Sequence, residues 1–228
     1  MALQIAPKWT GKTYLWWLGA NGLAELLGLG ATGLLGYLLI SRLGDSRVLL
    51  FASSMVLAGI IFEGVAVGLF QWLVLRLALP KLKASRWIIA TALGAGVAWL
   101  LGMIPSTLLS FEADRAGTSS EPSLTMMMFM ALLMGAILGP ILGFFQYRVL
   151  RDFSPKAGFW IGANSLAWAA GMAIIFAGID IAFKLPYAPV YLALSLILCG
   201  FCVAAIHGLF LFFIVGRCRT NSDSVVRP

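Results

Sequence analysis

Long apolar stretches constrain the fold of this chain more than any other feature. Several exceed the roughly 20 residues that a helix needs to cross a bilayer, and they do not alternate as membrane β-strands do. The 228 residues are 61% hydrophobic and only 11% charged, whereas soluble domains carry roughly 25% charged residues. We therefore predict an all-α integral membrane protein with six transmembrane helices, at about Tyr14–Ile40, Val48–Leu79, Trp87–Leu109, Leu124–Leu150, Phe159–Phe183 and Val190–Val215.

The distribution of basic residues predicts the orientation. With six spans, twelve of the 16 Lys and Arg residues fall on the side that holds both termini: Lys8, Lys12, Arg76, Lys81, Lys83, Arg86, Arg148, Arg151, Lys156, Arg217, Arg219 and Arg227. Cytoplasmic segments carry an excess of Lys and Arg, so both termini are predicted to be cytoplasmic. Topology also accounts for the net charge of +7, and we expect a lipid bilayer and no nucleic acid as partner.

An internal repeat predicts how the helices are arranged. A fourteen-residue pattern at 68–81 recurs at 143–156 and shares Gly, Phe, Gln, Val, Leu, Arg, Pro and Lys without a gap. Trp-led helix starts occur three times, at Trp17, Trp87 and Trp160. Such self-similarity indicates a repeated structural unit. We predict one transmembrane domain, residues 1–219, of three helical hairpins (7–79, 80–154 and 155–219), followed by a short polar tail, 220–228.

Each repeated element has a physical role. Trp prefers the headgroup level, where its ring is apolar and its N–H stays wet, and small residues four apart let helix backbones approach. Amide side chains should lie ~6–8 Å below the interface at ~1.5 Å rise per residue, with an imidazole at the matching place in the third unit. These residues are Asn21, Gln71, Gln146, Asn164 and His207. They could form interhelical hydrogen bonds or line a ligand site.

Glu25 and Glu63 are the acids deep within predicted spans, at equal sequence distances from Gly44. An antiparallel hairpin would bring them to similar depth. A charged Asp at the centre of a membrane helix costs about 2.5–3.5 kcal/mol, so each Glu should be protonated, paired or facing a cavity. Two adjacent carboxyl groups could share a proton, which would suit a proton or cation relay. The alternative is a protonated Glu hydrogen-bonded to an amide such as Asn21.

The remaining candidates are His207, Cys199 and Cys202. His207 could ligate a haem or chlorin or relay a proton, or it could simply replace the repeat's amide as a core residue. Cys199-Gly-Phe-Cys202 could form a redox disulfide, but Cys218 is the only other cysteine and leaves no second thiol pair. Both cysteines could equally be small core residues. No metal site and no catalytic residue are predicted.

The ending Gln71-Trp-Leu-Val-Leu-Arg76 and the start Trp160-Ile-Gly-Ala-Asn164 resemble short motifs in a group of uncharacterised bacterial multi-pass membrane proteins, frequent in cyanobacteria. Those proteins repeat Q-W-x-x-L-R helix ends and Trp-led helix starts. The resemblance implies the bacterial inner (plasma) membrane, or the thylakoid membrane in a cyanobacterium. It supplies no activity, cofactor or site residue.

Three functions stay open from the sequence. The first is a non-enzymatic membrane protein that binds a partner protein, a second copy of itself, a lipid or a small hydrophobic ligand. The second is a small proton-coupled transporter or channel that uses Glu25 and Glu63. The third is a thiol/quinone redox enzyme that uses Cys199 and Cys202. A polar cavity reaching both glutamates would favour the second function, and a sealed core with an apolar groove would favour the first.

Overall fold

The computed structural model describes residues 9–42, 47–117 and 122–215. Within these ranges the chain forms six helices and no strand, and each helix is long and apolar enough to cross a membrane. The helices are α1 Gly11–Ile40, α2 Val48–Ala78, α3 Ala84–Arg115, α4 Leu124–Leu150, α5 Phe159–Lys184 and α6 Ala188–Val215. The prediction of an all-α protein with six helices of transmembrane length is confirmed. The predicted tail, 220–228, and the opening of the first hairpin at Pro7 and Lys8 lie outside the described residues.

Local sequence sets several of the helix ends. Thr10 precedes α1, and its side-chain oxygen accepts a hydrogen bond from the Thr13 backbone N–H at 3.2 Å, which satisfies a donor in the first turn. The third predicted span, Trp87–Leu109, agrees with the candidate membrane span Ala84–Ser110, and the helix itself continues to Arg115. No glycine or proline interrupts that extension. Gly117 follows with a φ of 63°, the left-handed conformation that commonly ends helices.

The six helices form a closed ring. Each helix packs against its neighbours in sequence, and α6 returns to pack against α1. Glycines permit close approach at the α1–α2, α2–α3, α4–α5 and α6–α1 interfaces, where a Cβ atom would lie 2.7 Å or less from a backbone atom of the facing helix. The contacts are Gly28 against Glu63, Gly64 against Ala92, Gly135 against Trp168, Gly139 against Asn164, and Gly200 against Asn21. Close backbone contact of this kind stabilises helix pairs in lipid.

Three indoles fill the centre of the ring at the end where α1, α3 and α5 begin. Trp17, Trp87 and Trp160 are fully buried, and the rings of Trp17 and Trp87 each lie 6.4 Å from that of Trp160, centroid to centroid. The prediction that the N–H groups of these tryptophans stay wet was therefore wrong. Since six helices around a ring leave a wide centre, the bulky indoles pack inward there and not toward lipid.

Replacing Gly139 by Ala tests the close packing of α4 against α5. The added Cβ would overlap the Asn164 backbone carbonyl, so we expect a loss of about 1–3 kcal/mol in the free energy of unfolding, the usual cost of overpacking. Unfolding in detergent, followed by circular dichroism, measures it. Gly19→Ala is the matched control, because a Cβ at Gly19 meets nothing within 4 Å. Equal stability of the two variants would contradict the packing described.

Candidate intramembrane site

A layer of polar side chains lies one helical turn beyond the three central indoles. Three residues of this layer donate to the backbone carbonyl of the tryptophan four positions earlier, at 2.8 to 2.9 Å. They are Asn21 on α1, Thr91 on α3 and Asn164 on α5. Because each donor bonds within its own helix, the side-chain oxygens are left to accept hydrogen bonds from neighbouring helices.

Two glutamines connect this layer across the ring. The Gln71 amide donates to Asn21 Oδ1 at 2.9 Å, and the Gln146 amide donates to Gln71 Oε1 and to Thr91 Oγ1 at 3.0 Å each. The Trp160 indole N–H donates to Gln146 Oε1 at 2.8 Å. This chain links α1 through α5. Its members are buried and form hydrogen bonds with one another, as polar groups without access to water must.

His207 does not join the chain, although it occupies the repeat position of the two glutamines. Both of its ring nitrogens and the Asn164 Oδ1 atom are buried without a hydrogen-bond partner among the described residues. The imidazole packs on the Trp160 ring with centroids 4.6 Å apart. The hydrogen-bonded layer is thus interrupted between α5 and α6. A haem or chlorin could reach a His207 nitrogen only by displacing this packing.

The structure places Glu25 and Glu63 on closely packed segments of α1 and α2. Both are buried in the middle of their helices, Glu25 on α1 and Glu63 on α2. Gly28 makes the approach possible, because a Cβ there would lie 2.7 Å from the Glu63 Cα. Glu63 Oε2 accepts a hydrogen bond from the Trp99 indole N–H at 2.5 Å. Glu25 Oε2 has no partner among the described residues.

A π-helical segment, Gly59–Gly64, carries Glu63 within α2. The Trp99 ring lies against Gly59, where a Cβ would overlap it. Single π turns inside helices are frequent at functional sites. Neither Trp99 nor the π turn was anticipated from the sequence. The available signal was a tryptophan in the middle of a span, where its N–H is far from headgroup water and needs a polar partner.

The two cysteines of α6 are free thiols. Cys199 is buried and Cys202 is partly buried. Cys218 lies outside the described residues. Among the residues that the structure describes, no cluster of three or more His, Cys, Asp or Glu side chains could hold a metal ion.

A groove of about 610 Å³ opens on the outer surface between α5 and α6. Its lining includes Gly158, Phe159, Gly162, Ser165, Leu166 and Phe210. A Cβ at Gly158 or Gly162 would meet nothing within 4 Å, so the missing side chains leave open space. The Ser165 hydroxyl donates to the Ala136 carbonyl at 2.8 Å, which satisfies that hydroxyl and leaves a mainly apolar surface.

These features define a six-helix membrane protein with a polar layer, a buried acid pair and an outer apolar groove. In comparisons with known protein families, curated proteins and solved structures, no match to this chain was found.

A double-mutant cycle on Gln71 and Gln146 tests the hydrogen-bonded chain. Replacing either glutamine by Met keeps a similar shape and removes its hydrogen bonds, three for Gln146 and two for Gln71. At about 0.6 kcal/mol per bond, Gln146→Met should destabilise the protein more than Gln71→Met. The double variant should lose less than the sum of the two, by about one bond.

The free energy of unfolding in detergent is the quantity to measure for all four proteins of the cycle. Strictly additive losses would show that the two amides do not interact, which would contradict the 3.0 Å contact between them.

Proposed function

We propose that this chain is a non-enzymatic multi-pass membrane protein that binds a lipid or small hydrophobic ligand in the groove between α5 and α6. The observation that supports the proposal is the combination of this open apolar groove with a core filled by aromatic rings. A volume of about 610 Å³ falls within the range of roughly 300–1,000 Å³ typical of small-molecule sites.

The polar layer is better explained as a structural element than as a ligand site. Gln71 and Gln146 use their amide groups on each other and on neighbouring helices, so a ligand would have to displace existing hydrogen bonds. The groove offers surface that no part of the described chain occupies. Binding there requires no rearrangement of the core.

We further propose that the ring consists of three repeated hairpins, α1–α2, α3–α4 and α5–α6. Support comes from the glycine contacts of Gly64, Gly139 and Gly200, because in each of these the second helix of one hairpin packs against the first helix of the next. The intrahelical bonds of Asn21, Thr91 and Asn164 to the preceding tryptophans also follow this pattern. The excess of Lys and Arg on one side supports cytoplasmic termini, and the resemblance of the helix-end motifs to those of bacterial multi-pass proteins supports a location in a bacterial inner or thylakoid membrane.

The buried acid pair supports a second candidate function, a small proton-coupled transporter or channel. Glu25 and Glu63 are buried on closely packed segments of α1 and α2, and one Glu25 oxygen lacks a partner among the described residues. Intramembrane acids are costly and commonly mark ion or proton pathways. The π turn that carries Glu63 is a further feature frequent at functional sites.

Photo-crosslinking tests the groove as a binding site. In liposomes that contain a phosphatidylcholine with a diazirine in its acyl chain, we expect labelling to be enriched on the peptide that spans 155–166. Gly162→Leu should reduce that labelling several-fold, because the new side chain fills open space without a clash. Peptide mass spectrometry measures the distribution of label.

Gly33→Leu is the matched control, since a Cβ at Gly33 also meets nothing within 4 Å and the residue lies on the exposed surface of α1. Labelling spread evenly over all lipid-facing helices, or unaffected by Gly162→Leu, would contradict a groove ligand.

Infrared difference spectroscopy across pH tests the second candidate. A proton-linked function predicts a carboxyl band that changes with pH and that is altered in both Glu25→Gln and Glu63→Gln, because the two groups lie on closely packed helix segments. Glu112→Gln is the control, because Glu112 is exposed at the end of α3. A pair of carboxyl bands that never changes with pH would contradict proton exchange at this site.

A further inference from the structure

We propose that the groove between α5 and α6 binds an anionic phospholipid, with the lipid phosphate at the Lys156 ammonium and an acyl chain along Gly158 to Leu166. This inference rests on the proposed binding function and adds the chemical class of the ligand. The observations that carry it are the position of Lys156, the charge of its surroundings and the shape of the groove.

Lys156 follows Pro155, which lines the groove. Its Nζ atom is 3.9 Å from the centroid of the Phe213 ring, and the Phe213 ring meets the Phe159 ring edge to face at 5.2 Å. Phe159 lines the groove, so two aromatic contacts connect the ammonium to the apolar lining. A cation held over a ring remains free to contact an anion on its other side.

Acidic residues near Lys156 do not neutralise it. Between Gln146 and Trp160 the basic residues are Arg148, Arg151 and Lys156, and Asp152 is the only acid. The Asp152 carboxylate already pairs with Arg86 at 2.7 Å. Lys156 has no ion pair among the described residues, so its exposed ammonium favours a negatively charged headgroup over a zwitterionic one.

The length of the groove matches one lipid leaflet. Leu166 lies eight positions after Gly158 along the start of α5, which corresponds to ~12 Å at ~1.5 Å per residue. Half of the ~30 Å hydrocarbon core of a bilayer is of similar extent. Gly158 and Gly162 provide the floor, because a Cβ at either position would project into open space.

A second copy of the chain is a less favourable occupant. Gly158 and Gly162 have the spacing at which transmembrane helices pair, but a two-fold symmetric dimer brings the same surface of each copy together. The two Lys156 ammonium groups would then lie close to each other at the same membrane face. Like charges without a counterion oppose that contact, whereas a phospholipid supplies the missing negative charge.

Native mass spectrometry of the delipidated full-length protein tests the proposal, with phosphatidylglycerol and phosphatidylcholine of identical acyl chains as probes. We expect the wild-type protein to retain phosphatidylglycerol about fivefold more strongly, the effect of one Lys near an anionic surface. Lys156→Gln should reduce this ratio to about one, and Gly162→Leu should weaken the binding of both lipids.

Two control variants isolate the groove. Lys12→Gln removes another basic residue that lies over an aromatic ring, with Nζ 5.3 Å from the centroid of the Trp16 ring, and it should leave the ratio unchanged. Gly33→Leu should leave the binding of both lipids unchanged. Circular dichroism of each variant verifies that its helices are intact.

The possible failures are distinguishable. Equal retention of the two lipids by the wild-type protein, with both lost in Gly162→Leu, would overturn the anionic preference and leave the proposed groove function standing. A Gly162→Leu variant that binds both lipids normally would overturn the groove itself. A wild-type dimer that Gly162→Leu converts to a monomer would assign the groove to a second copy and overturn the lipid proposal.

Discussion

Closure of the ring at the α6–α1 interface is the contact on which the rest of the structure depends. Gly200 lets the α6 backbone approach Asn21 and Gly22 of α1, because a Cβ atom at position 200 would lie only 2.6 Å from the Asn21 carbonyl oxygen. Without that approach the ring would be open, and its inner surface would face lipid on one side. Closure creates an enclosed centre, which must be filled by large side chains and in which every unpaired polar group is costly.

Two sets of polar groups in the enclosed centre differ in how completely they are hydrogen-bonded. The amide chain from Asn21 to Trp160 is joined by bonds of 2.8 to 3.0 Å, so each of these links satisfies a donor and an acceptor. The acid pair has one bond to Trp99 and a Glu25 oxygen without a partner among the described residues. The amide chain stabilises the bundle, whereas the acid pair leaves a Glu25 oxygen that a proton or another group could satisfy.

Much of this fold could be predicted from the sequence because the bilayer leaves few choices. Apolar length alone located six helices, and the constant spacing of the repeat identified the residues that now form the polar layer. The direction in which Trp17, Trp87 and Trp160 face could not be predicted, because a tryptophan at a helix start can turn toward headgroups or toward a ring that only tertiary packing creates. The π turn and the groove depend on contacts between helices, which the pattern within one helix does not record.

The π segment of α2 has a consequence for how the acid site and the polar layer coexist. A π turn accommodates about one residue more than the α-helical turn that it replaces, and one residue corresponds to a rotation of ~100°. Residues after Gly64 are therefore rotated around the helix axis relative to the positions that an uninterrupted α-helix would give them. Gln71 can keep the same alignment with its partners that Gln146 has in α4, while Glu63 is turned toward Trp99.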